Sequence, residues 1–356
     1  MRSGQFAPAT TFDFRGASEP GGRDVPDGSL PRRLRQLVGP LNPSRTPTVA
    51  VFAPHPLLTV TLEREGADRE AVQIAAGGQG AWVARTAGEL GAMPALCSFI
   101  GGDTGQLLEP LLQRLPITRR LVPTATASGC HVSDRRSGAL RVLSMALSDP
   151  PSRPELDDLF SLTCAEAIAC GWLVVTNPLP ADALPVELYR DLIADVRANG
   201  CRTLVDLSTP RVDLALEAEP DLVKLNEWEL AEIISGPVSG PALRTAAEGL
   251  RDRGARSVIV TRGDQPALVL HDEEAWWLTS PRFERGFREG CGDAMLGGIV
   301  AAWSGGATFE KSLLTGAAAG AANFLRHGIG GASRELIERL AQRVTLEPVE
   351  TVTTGE

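Results

Sequence analysis

The chain has 356 residues, 43% of them apolar and 22% charged, with a formal net charge of −9. That balance suits a globular protein with a large core, arranged as one large α/β domain or two small ones. Acids and bases are interspersed with no basic stripe, which excludes a nucleic-acid protein, and no stretch reaches the roughly 18 apolar residues of a membrane helix.

Six cysteines (Cys97, Cys130, Cys164, Cys170, Cys201, Cys291) include no CxxC pair, and four histidines are too scattered for a zinc site. The N-terminus lacks an apolar signal segment, so the expected location is the cytoplasm. Residues 1–46, rich in Gly, Pro, Ser and Arg, read as a disordered extension, and 351–356 as a tail. The folded domain is expected over 47–350.

Buried-strand patterns follow at 49–52, 95–100, 172–176, 203–207, 221–224 and 257–261. Helical stretches at 81–90, 184–199 and 242–253 alternate with them, which predicts a mostly parallel sheet covered on both faces, a three-layer α/β/α sandwich. Residues 129–147 instead read as a hairpin, CHVS and ALRVLSMAL around the turn DRRSG. A short strand near 59–63 could pair with it. Together, segments 57–75 and 117–148 predict a small β-sheet lid. Two further strands, 267–271 and 275–278, precede Gly- and Ala-rich helices.

The strongest chemical signal is GFREGCGDAMLGGIVAAW, residues 286–303. Gly290 and Gly292 flank Cys291, and a helical pattern starts at once. Small residues before a helix let backbone N–H groups converge at the positive end of its dipole, an anion site. Asp293 enters in the first turn, where a carboxylate can reach a hydroxyl beside that anion. Hydroxyl, base and phosphoryl group then meet in one place. Taken alone, Gly-Asp at a helix start is usually a turn and cap. No GxxxxGK[ST] occurs, and no GxGxxG is completed here, which argues against a P-loop and a dinucleotide fold.

Seven segments in order resemble the phosphofructokinase-B branch of the ribokinase-like sugar kinases, nearest the 1-phosphofructokinase and tagatose-6-phosphate kinase subgroup. They are PHPLLTVTLE (54–63), AGGQGAWVARTAGELGA (76–92), FIGGDTG (99–105), KLNEWEL (224–230), VTRGDQPAL (260–268), GCGDAMLGG (290–298) and GAAAGAANFLRHGIG (316–330). The resemblance implies a ribokinase-like fold and an ATP-dependent phosphotransferase with a sugar or sugar-phosphate acceptor. It implies Asp293 as general base and the backbone of Gly290, Cys291 and Gly292 as the anion hole. Asn226 and Glu229 would place Mg²⁺ and the ATP phosphates through water, with no direct protein ligand to the metal. Lys224, Thr261 and Gly263 would approach the nucleotide, and Asn323 would border the adenine pocket. Each has a purely structural alternative: a helix cap for Asn226 and Glu229, a strand end for Thr261, a helix surface for Asn323. The acceptor would bind beneath the lid near Thr59, Gly77 and Gly78. The resemblance also allows a homodimer through the lid.

On the acceptor side the chain departs from the family pattern. Thr59 stands where the family has a sugar-contacting Asp, Gln79 replaces the Lys of GGKG, and Trp82 replaces an Asn. Gly129 takes the place of a lid arginine, and TNPLP replaces SGSLP. The acceptor could therefore be a different, uncharged sugar or polyol stacked on Trp82. Equally, Arg135 and Arg136 could supply the phosphate contacts from a new place. A catalytically silent regulatory member and a nucleoside kinase remain as alternatives. Cys291, in place of the family's Ala, is either a small filler or an oxidisable thiol.

Overall fold

A computed structural model describes residues 48–65, 69–325 and 332–349. The expected extension 1–46 and the tail 351–356 lie outside these residues. The first strand, β1 (Val49–Phe52), is fully buried and runs into the lid strands β2 (Leu57–Glu65) and β3 (Arg69–Gly77). Helix α1 (Gln79–Glu89), β4 (Pro94–Ile100), α2 (Gly102–Gln113) and β5 (Thr118–Pro123) follow. The lid is then completed by β6 (Gly129–Asp134) and β7 (Arg141–Ala146).

The second half continues the alternation. It runs α3 (Arg153–Cys170), β8 (Trp172–Thr176), α4 (Glu187–Ala198), β9 (Arg202–Asp206), α5 (Arg211–Glu217), β10 (Leu222–Asn226) and α6 (Glu227–Ile233). Then come α7 (Pro241–Asp252), β11 (Ser257–Arg262), β12 (Gln265–His271), β13 (Glu274–Thr279), α8 (Cys291–Ser304), α9 (Phe309–Phe324), α10 (Arg334–Ala341) and β14 (Thr345–Pro348).

Ten strands form the main sheet in the order β14-β13-β12-β11-β10-β9-β8-β1-β4-β5. From β5 to β11 neighbouring strands are parallel; β12, β13 and β14 close that edge antiparallel. One face packs Phe52, Leu159, Tyr189, Leu192 and Leu250 under α3, α4 and α7. The other packs Val83, Leu108, Leu296 and Leu313 under α1, α2, α8 and α9. This is the expected sandwich. Strand order reverses at β1, so the crevice beyond the carboxyl ends of β1 and β8 is where such sheets bind ligands. No helix among the described residues is long and apolar enough to cross a membrane.

The lid is a separate sheet in the order β3-β2-β6-β7, with β2 and β6 parallel. One segment assigned to it from sequence belongs elsewhere. Residues 118–123 form β5, an edge strand of the main sheet. Arg119 and Arg120 interrupt its apolar pattern and conceal it. Buried Arg120 is accommodated by Glu166 of α3, 2.5 Å away.

Helices α8 and α9 cross at glycines. A Cβ on Gly298 would stand 2.9 Å from both the Ala319 Cβ and the Gly316 Cα, and one on Gly316 would stand 2.7 Å from the Met295 carbonyl. We expect Gly316→Ala to cost ~1–3 kcal/mol by forcing the helices apart. The urea midpoint reads this; an unchanged midpoint would mean the crossing relaxes freely.

Candidate active site

The site is built around the start of α8. Gly290 adopts a left-handed φ of 73°, and no side chain caps the helix. The Cys291 N–H closes a turn onto the Arg288 carbonyl at 3.2 Å. The next donors, Gly292 and Asp293 N–H, fall in the first turn, where no intrahelical acceptor exists. They sit at the positive end of the dipole and are the natural anion donors. Of the expected set Gly290, Cys291 and Gly292, the Cys291 N–H is thus engaged in the turn itself. The turn is held from behind: Phe287 N–H donates to the Phe324 carbonyl at 2.8 Å. Asn323 donates to the Glu289 carbonyl at 2.9 Å and lies 3.4 Å from Cys291 Sγ. Asn323 is 5% exposed, and its amide braces this turn.

Behind the turn lies a buried charge cluster. Pairing of Leu204 with Leu222 and Val205 with Val223 brings Asp206 beside Lys224 at the strand ends. Their ion pair is 2.5 Å long and about nineteen-twentieths buried on both sides. Lys224 Nζ lies 3.0 Å from where a Gly292 Cβ would stand, so the ammonium is pressed against the anion turn. Burial would lower the Lys224 pKa, but the charge and hydrogen bond of Asp206, then Asp293 and Glu229, outweigh it and the net shift is upward. Half-buried Asp293 therefore shares one cation with Asp206 and Glu229. Gln79 does not face the cleft alone: its Oε1 accepts from Asn177 N–H at 2.9 Å and its Nε2 lies 3.5 Å from the Asp206 carbonyl.

On the nucleotide side, Asn226 and Glu229 form a reciprocal capping box for α6. Asn226 Oδ1 accepts from Trp228 and Glu229 N–H, and Glu229 Oε2 accepts from Asn226 N–H at 2.8 Å. Asn226's oxygen is thus engaged in the helix start, as its structural alternative held. Burial raises the Glu229 pKa, partly offset by that N–H. Thr261 pairs with Asn226 in register and donates to the Leu225 carbonyl at 3.3 Å. Gly263, with φ 64°, turns β11 into β12, and Arg288 Nη1 lies 4.0 Å from where its Cβ would stand.

On the acceptor side the geometry brings most of the expected residues together. Gly78, with φ 99°, starts α1, and a Cβ on Gly77 would collide with Thr59 Oγ1. The Trp82 ring lies between: its Cζ2 is 3.6 Å from the Gly77 Cβ position and its Cε3 is 3.0 Å from that of Gly290. Trp82 thus joins the lid hinge to the anion turn. The two hairpin arginines part company. Arg136 is held by Asp134 of the hairpin and Glu70 of β3, each at 2.9 Å. Arg135 turns inward to Glu289 at 3.2 Å and stacks 4.5 Å over the Phe287 ring. Sequence reasoning missed Asp206, His131 and Glu289. Only Asp206, an acid ending a buried strand in VDLSTP, left a readable signal.

Comparison with known proteins completes the assignment. The chain is 29% identical over 246 residues to the 1-phosphofructokinase of Rhodobacter capsulatus, spanning 65% of this chain and 73% of that one. It is 28% identical over 260 residues to the ATP-dependent 6-phosphofructokinase isozyme 2 of Escherichia coli, spanning 71% and 82%. Among solved structures, E. coli phosphofructokinase-2 with fructose-6-phosphate superposes with a TM-score of 0.72 at 24% identity, over 83% of this chain and 98% of that one. Ribokinase from Thermotoga maritima superposes at 0.66 and 19%, over 83% and 99%. These two share the ribokinase-like fold. The pfkB family carbohydrate kinase model matches residues 57–335, so the chain belongs to the pfkB family of carbohydrate kinases.

Proposed function

We propose that this carbohydrate kinase transfers the γ-phosphoryl group of ATP to a hydroxyl of a sugar or sugar phosphate, with Asp293 as general base. The observation that carries the reading is Asp293 in the first turn of an uncapped helix, one residue from the Gly292 N–H donor. ATP would lie along Thr261, Gly263 and α6, its γ-phosphate directed at the Gly292 and Asp293 N–H groups. The acceptor would lie between Trp82 and the lid. Asp293 takes the hydroxyl proton as the oxygen attacks in line. Lys224 and the N–H donors balance charge on the transferring group.

Mg²⁺ is the metal such a reaction calls for. Among the described residues no group of three or more His, Cys, Asp or Glu is placed to hold a metal. The residues present fit a hydrated ion carried mainly by the nucleotide. Glu229's carboxylate oxygen outside the capping box would hold it through water, and the ion would supply charge neutralisation on the phosphates. None of the six cysteines is in a disulfide, which suits a reducing compartment, and we place the enzyme in the cytoplasm.

The test is an ADP-release assay with Mg-ATP against free sugars, polyols, sugar phosphates and nucleosides, with Asp293→Asn as blank. A signal that vanishes in the variant supports the reading. Silence across the panel with ATP still bound would favour a silent regulatory protein.

We further propose a homodimer through the lid. Val72 and Ile74 of the lid edge strand β3 are 61% and 58% exposed, on the sheet face opposite Thr59 and His131. Exposed apolar side chains side by side on one face call for a cover, and a second copy supplies a matching pair. Sedimentation should show a dimer that Val72→Lys/Ile74→Glu converts to monomer. A wild-type monomer would end the idea.

A further inference from the structure

The inner face of the lid gathers polar atoms that the protein itself does not satisfy. Parallel pairing of β2 and β6 sets Thr59 beside His131 and Thr61 beside Ser133. The Thr61 and Ser133 hydroxyls bond each other at 3.2 Å. In contrast, Thr59 Oγ1, His131 Nε2, and Arg135 Nε and Nη1 are buried with no hydrogen-bond partner among the described residues. Unpaired buried donors are costly and rare, so a group of them on one wall needs a reason.

Arg135 is the centre of this wall. Its side chain is 5% exposed, with Glu289 at 3.2 Å and Glu63 at 3.9 Å. Glu63 is itself engaged, its Oε2 accepting from Gln73 at 2.8 Å. The contacts form a circuit about one space. Gly290 meets Trp82, Trp82 meets Gly77, and Gly77 meets Thr59. Thr59 lies beside His131, and His131 feels the charges of Arg135 and of Glu289, which adjoins Gly290. The unsatisfied donors and the anion turn therefore border the same cleft.

We propose that Arg135, with His131 and Thr59, anchors an anionic group of the acceptor, a phosphate monoester on a sugar, and that Glu289 holds the guanidinium until that anion replaces it. The proposal rests on the kinase reading of the cleft and names its acceptor class. A guanidinium offers parallel N–H donors that match phosphate oxygens, which a lone hydroxyl does not. The cation missing at Gln79 has, on this view, moved to the lid. Arg136 takes no part, because Asp134 and Glu70 already hold it.

The test measures binding by calorimetry, with a non-hydrolysable ATP analogue filling the nucleotide side. The probes are fructose 1-phosphate, fructose 6-phosphate and free fructose. We expect a monophosphate to bind more tightly than fructose, and Arg135→Ala to weaken it by at least ~10-fold, the loss of one charged hydrogen bond to phosphate. Free fructose should change little. Glu289→Gln should tighten monophosphate binding, because it removes the competitor. If Arg135 were only a latch between lid and turn, both variants would weaken binding. Should Arg135→Ala fail to fold, Arg135→Lys and Glu289→Gln carry the same contrast. Equal losses for charged and free sugars, a weakening by Glu289→Gln, or no monophosphate preferred over fructose overturns the proposal. Binding needs no turnover, so tight monophosphate binding without Asp293-dependent ADP release would sink the kinase mechanism and leave the anchor.

Discussion

Asp293→Asn is expected to lower kcat by at least ~100-fold, the usual scale for removing a positioned base. ATP affinity should stay near wild type. The change preserves shape and removes the carboxylate's charge together with its capacity to take a proton. The proposed anion donors are backbone groups of the α8 start, and Phe287, Asn323 and Phe324 still hold that start in the variant. One negative charge beside Lys224 is lost, so phosphate binding could only be eased. Single-turnover and nucleotide-binding measurements separate the two effects. Residual turnover above a tenth of wild type would place the base elsewhere.

The sheet was legible because its strands are short, buried apolar runs. Residues 49–52 and 172–176 coincide with β1 and β8, and the lid hairpin lies where CHVS and ALRVLSMAL read as strands, the second trimmed to Arg141–Ala146. Strand β5 was hidden because its burial depends on an ion pair, Arg120 with Glu166, whose partner is 46 residues away. The start of α8 was legible for a local reason: small residues and an acid just before an apolar helical pattern mark a helix N-terminus, and the helix begins at Cys291. The charge cluster behind it was not, since Asp206 and Lys224 meet only through the register of β9 and β10. Arg135 and Arg136 are adjacent and chemically identical in sequence. Which of them points into the cleft is decided by Asp134 and Glu70 capturing one, and by Phe287 and Glu289 receiving the other. Asn226 and Asn323 share this lesson. Their family positions were readable, but their hydrogen bonds go to the α6 start and to the anion turn.

Lys224→Met should be the most destabilising single change at the site. Both members of the Lys224–Asp206 pair are buried to about the same degree, and among the described residues Lys224 is the cation that pairs with this carboxylate. Removing the ammonium leaves an uncompensated buried charge, which typically costs ~3–5 kcal/mol. That is a large part of a stability of ~5–15 kcal/mol. Adding Asp206→Asn to Lys224→Met removes the stranded charge, so the double variant should recover a substantial fraction of the denaturation midpoint. Activity should not follow it. Lys224 Nζ lies against Gly292, where the proposed mechanism develops the transferring phosphate's charge, and no neutral side chain replaces that. A double variant that folds but remains slow would separate the structural role of the pair from its electrostatic role in transfer. If its kcat returned with its stability, Lys224 would be a support for the turn and nothing more.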